Sequence, residues 1–88
     1  MIRLDKPIRL SGHARDQLTF RGGTEQEVIE TIRTAQWQPT EQGRLESHKD
    51  VAFNAVWNRK RYATKRVRPI FVEEADEIVV VTVYVYFF

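Results

Sequence analysis

The hydrophobic pattern of this chain changes period once, near Arg44, and that change limits the fold more than any other feature. Before it, apolar residues recur every three or four positions. After it the period becomes two. Helices followed by strands predict an α+β architecture of two layers, with both helices on one face of a three- to four-stranded antiparallel sheet.

The helical part is well punctuated. Pro7-Ile8-Arg9-Leu10 reads as a short extended stretch, and Ser11 is a good N-cap for a helix over residues 12–21. Leu10, Ala14 and Leu18 form its apolar stripe. His13, Gln17 and Arg21 share the same spacing on a neighbouring polar stripe, so a histidine and an arginine look out from one side. Gly22-Gly23 ends this helix. Thr24 opens a second with a capping box to Glu27, and Val28, Ile29, Ile32 and Ala35 supply its buried face. Pro39 and Gly43 confine the next turn to residues 36–43.

Arg44 to His48 reads as a strand, and Val51, Phe53, Ala55 and Trp57 mark the inner face of another. Asn58-Arg59 is a tight turn into the next strand, Arg61 to Glu73, where Pro69 implies an edge position or a bulge. The final strand, Glu77 to Phe87, has two unlike faces. Strict alternation puts Val79, Val81, Val83, Val85 and Phe87 under the helices and turns Thr82, Tyr84 and Tyr86 away from them.

A chain of 88 residues supports one domain, 1–88, without a separate cofactor domain. It contains no cysteine, which excludes disulfides, thiolate-bound zinc, iron–sulfur clusters and thiol catalysis. The start, Met1 to Asp5, shows no cleavable leader pattern, and the longest apolar run, Ile78 to Val81, is too short to cross a bilayer. The expectation is a soluble cytoplasmic protein.

Charge is polarised rather than large. Arg59, Lys60, Arg61, Lys65, Arg66 and Arg68 place six cations and no acid within residues 59–68, which leaves the other 78 residues with 8 basic and 12 acidic groups. Such a stripe suits a polyanion, and it equally suits a solvated strand edge protected from aggregation.

Ser11-Gly12-His13-Ala14-Arg15, Phe20-Arg21-Gly22-Gly23, Phe53-Asn54-Ala55-Val56-Trp57-Asn58, Thr64-Lys65-Arg66-Val67, Ile70-Phe71-Val72-Glu73-Glu74 and Val81-Thr82-Val83-Tyr84 occur in an order and spacing that resembles the DUF4258 family. The resemblance covers nearly the whole chain. It implies kinship with RelE- and BrnT-type toxins, a fold of two helices against an antiparallel sheet, and, in active members, RNA cleavage. His13, Arg21, Lys65 and Tyr84 match positions typical of the family pattern, and the chain departs from it at Arg59, where the resemblance implies glycine after Trp57-Asn58.

The chemistry can be read beside the family. Metal-free RNA cleavage must take a proton from the 2′-hydroxyl, stabilise a dianionic phosphorane and protonate the leaving 5′ oxygen. His13 is the candidate acid or base, Arg21 and Lys65 the phosphate clamp, and Tyr84 a stacking or phosphate-bonding group. Arg59, Lys60, Arg61, Arg66, Arg68 and Tyr86 are the candidate RNA-binding residues. Each also has an ordinary structural use, as a helix-start histidine, surface ion pair or cross-strand aromatic. No metal or cofactor is expected, since His48-Lys49-Asp50 is an isolated pair of donors in a turn and His13 has only Asp16 nearby. Two functions remain: a toxin-type endoribonuclease acting on free or ribosome-bound RNA and neutralised by an antitoxin, or a non-catalytic nucleic-acid or protein-interaction module, dimerising through its last strand.

Overall fold

The computed structural model describes residues 6–88, so the reading of residues 1–5 lies outside the described part. Strand β1 (Ile8–Leu10) leads into helix α1 (Gly12–Arg21) and helix α2 (Glu25–Thr34). Two-residue strands β2 (Gln38–Pro39) and β3 (Leu45–Glu46) flank a 3-10 turn, and the long strands β4 (Lys49–Trp57), β5 (Lys60–Glu73) and β6 (Ile78–Phe87) complete the chain.

Both helices start where their caps dictate. The Ser11 hydroxyl accepts from the Ala14 amide at 3.1 Å, and Thr24 and Glu27 form a reciprocal capping box. Gly22 closes α1 at φ 77°, and a Cβ added there would lie 2.8 Å from the Trp57 ring, so both backbone conformation and packing favour glycine.

The sheet is α+β in context and mostly antiparallel, with order β1-β6-β5-β3-β2 and β4 paired to β5 beyond β3. It corrects the expected three- to four-stranded antiparallel sheet: the described residues form six strands, and β1 runs parallel to β6. The expected strand Arg44 to His48 shrinks to Leu45–Glu46. Pro69 is not on an edge, because β5 is paired on both sides. Its carbonyl accepts from the Ser47 amide at 3.4 Å. The N–H that proline lacks therefore faces the break between β3 and β4, where no ladder bond is lost.

Strand β6 also departs from expectation. Its register with β5 passes from Thr82↔Ile70 to Val80↔Phe71, leaving Val81 as an extra residue. This bulge switches the parity of the strand. Ile78 and Val80 are buried with Val83, whereas Val79 and Val81, expected under the helices, are only half-buried. The core joins Leu10, Ala14 and Leu18 with Val28 and Ile32 from α2 and with Val67, Phe71, Ile78, Val80 and Val83 from the sheet. Both helices thus cover one face. The other face is open.

The β4–β5 turn holds Asn58 at φ 50° and Arg59 at φ 70°. Two left-handed residues match the twist of a two-residue hairpin, a conformation that glycine adopts most readily. A non-glycine residue pays about 1–2 kcal/mol in this conformation, and glycine loses about 0.5–1 kcal/mol of chain entropy. Arg59→Gly is therefore expected to stabilise the fold by about 0.5 kcal/mol, a rise in Tm of about 2–4 °C. A thermal melt showing a lower Tm would contradict this account of the turn.

Candidate nucleic-acid interface

The basic run of residues 59–68 does not form one stripe, because β5 distributes it over three places. Arg59, Lys60 and Arg61 are exposed at the hairpin tip. Lys65 points toward the helices and is 5% exposed. Its Nζ lies 2.8 Å from Glu27 Oε1 and 5.8 Å from the centre of the Phe53 ring. An ammonium paired and enclosed in this way is a link between α2 and the sheet rather than a group presented to a ligand. Arg66 and Arg68 point to the open face.

On that face the side chains converge. Arg68 lies 5.4 Å from the centre of the Tyr84 ring and donates to the Tyr86 hydroxyl at 3.3 Å. Tyr84 and Tyr86 are near-parallel, 6.5 Å apart, and 38% and 41% exposed. Arg21 reaches them from α1: its Nη1 donates to the Val83 carbonyl at 2.7 Å, and its guanidinium lies 5.1 Å from the centre of the Tyr84 ring. Among the described residues β1 pairs with β6 from Ile78 to Val80, and α1 overhangs the edge beyond Val80. Gln17, one turn earlier on the same stripe, accepts from the Thr82 hydroxyl. The polar stripe of α1 therefore wraps the rim of the sheet. His13 heads that stripe, exposed, but two turns or roughly 12 Å along the axis from Arg21.

The structure thus brings together Arg21, Tyr84, Arg68 and Tyr86, and separates Lys65 from them by the thickness of the sheet. It also adds a histidine. His48 lines a hollow of about 400 Å³ with Arg66, Arg68 and Tyr86. Its signal in the sequence is parity: Glu46, His48 and Asp50 are even-numbered around β3 and β4, like Arg66 and Arg68 on β5.

Carboxylates already hold both arginines. Arg66 forms a two-bonded fork with Asp50 at 2.6 and 2.9 Å, and Arg68 donates through Nε to Glu46 at 2.8 Å. The hydrogen bonds from Arg66 hold the Asp50 carboxyl below its ordinary range. A depressed carboxylate contributes stability above its unfolded pKa, and that contribution is lost as pH falls through the folded value. Stability is accordingly expected to fall below about pH 4, with a shallower acid loss in Asp50→Asn. Urea melts across this range check it; identical acid slopes for the two proteins would show that the pair contributes nothing.

Among the described residues no three His, Asp or Glu side chains stand together as a metal-binding group, and no helix is long and apolar enough to cross a membrane. Compared with known proteins, the chain matches no family model, no curated protein and no solved structure. Function is therefore to be read from the chemistry of the open face.

Proposed function

We propose that the protein binds single-stranded RNA on the open face of its sheet and cleaves it without a metal, as a toxin-type endoribonuclease. The observation that carries this reading is the cluster of Arg21, Arg68, Tyr84 and Tyr86, in which two guanidinium groups flank exposed rings outside the core. Arginine with accessible aromatic rings is the chemistry that holds unstacked bases and the phosphates between them. The likeness of the sequence to DUF4258 proteins, and through them to RelE- and BrnT-type toxins, supports the same class.

In this reading Arg21 and Arg68 neutralise the scissile phosphate and its transition state, and Tyr84 and Tyr86 seat the bases. Proton transfer falls to His48 rather than His13. His48 shares its hollow with Arg66, Arg68 and Tyr86, whereas His13 stands two turns from Arg21. The exposed Arg59, Lys60 and Arg61 extend the phosphate track along the hairpin. An acidic antitoxin peptide covering the open face would silence it.

The test is incubation of purified protein with RNA in EDTA, with and without ribosomes. Cleavage leaving 2′,3′-cyclic phosphate or 3′-phosphate ends supports the reading. RNA binding without cleavage supports the second reading, a non-catalytic RNA-binding module of this fold, which the pairing of Arg66 with Asp50 and Arg68 with Glu46 favours. Absence of both removes RNA as the partner.

A further inference from the structure

A second hollow on the open face, of about 250 Å³, lies between the 40–44 loop and Tyr84. Its walls include Thr40, Gln42, Arg44, Arg68, Thr82 and Tyr84. Ile70, 7% exposed, also lines it and gives it an apolar patch. The loop is held over the sheet in a costly shape: Gln42 at φ 61° precedes Gly43 at φ 70°. A glycine at the first position would relieve this strain, yet the chain carries a long amide there. The Gln42 and Arg44 side chains have no hydrogen-bond or ion-pair partner among the described residues.

We infer that this hollow takes one unpaired base of the RNA and that Gln42 reads its edge. The inference rests on the RNA-binding reading above and adds the source of base preference to it. Three features fit a base better than a phosphate. Tyr84 lines the hollow and is 38% exposed, so a base entering it meets an aromatic ring. The Gln42 amide offers two donors and an acceptor, which can match a base edge but has no charge for a phosphate. The charge is also close to balanced, since Arg44 and Arg68 are offset by Glu41 on the rim and by Glu46 on Arg68. The volume falls below that of a typical site for a larger small molecule, so a single base is the fitting size.

The experiment is fluorescence anisotropy of labelled hexamers of U, C, A and G with the whole protein, with Gln42→Gly and with Tyr84→Leu. One hexamer is expected to bind about 10-fold tighter than the weakest, the discrimination that a hydrogen-bonded edge supplies. Gln42→Gly is expected to melt at a higher temperature and to lose that preference. Tyr84→Leu is expected to weaken every hexamer by about 10-fold through lost stacking. Equal affinity of wild-type protein for all four hexamers would overturn the inference alone, as would a preference that survives in Gln42→Gly. Binding to none of them at low salt would overturn both the inference and the reading beneath it.

Discussion

Val80→Asp and Val83→Asp are expected to leave the chain unfolded at room temperature, while Val81→Asp and Tyr86→Ser remain folded. Val80 and Val83 are both 0% exposed and belong to the cluster between the helices and the sheet. Among the aliphatic side chains of that cluster a carboxylate at either position is stripped of water, and with the loss of apolar burial it costs more than about 4–5 kcal/mol. That is most of the roughly 5–10 kcal/mol a domain of this size has. Val81 sits at the bulge, half-buried, where an acid can turn to water, and Tyr86 is 41% exposed. Circular dichroism melts of the four variants decide the matter. If Val81→Asp were as damaging as Val83→Asp, the bulge would be misplaced and strict alternation would hold along the whole strand.

His48→Ala is expected to slow RNA cleavage by roughly 10² to 10⁴, the usual contribution of a positioned acid or base, and to leave RNA affinity within about 3-fold of wild type. His13→Ala is expected to slow cleavage by less than about 10-fold, because a group two turns from Arg21 cannot reach a phosphate held between Arg21 and Arg68 without a large displacement. Single-turnover rates on a defined RNA, measured with affinity in parallel, separate the two histidines. The reverse pattern, with His13→Ala inactive and His48→Ala unaffected, would move the reacting phosphate to the rim at the start of α1. Arg68→Ala should lose affinity and rate together, since one guanidinium serves both.

Part of the candidate site is legible in the sequence. The i, i+4 spacing of His13, Gln17 and Arg21 predicts a polar stripe, and Arg21 does reach Tyr84 from it. Spacing cannot show that this stripe overhangs a sheet edge, since that depends on β1 ending at Leu10. Lys65 is the opposite case. Its neighbours Arg66 and Arg68 suggest a shared cationic function, but alternation along β5 sends it to the other face, where Glu27 of the α2 capping box holds it. His48 reads as a turn residue in the sequence, because only the pairing of β3 and β4 with β5 places it beside Arg66 and Arg68.

Local chemistry determined where the helices begin and end, where the hairpin turns and which class of fold results, because caps, glycines and hydrophobic period act over a few neighbouring residues. The parity of β6 below Thr82, the central place of β5 and its proline, the approach of Arg21 to Tyr84 and the placing of His48 beside Arg68 and Tyr86 were decided only by tertiary structure. A single inserted residue reverses the faces of a strand without altering its composition. Residues far apart in the chain meet on one sheet face only after the strands have chosen their partners.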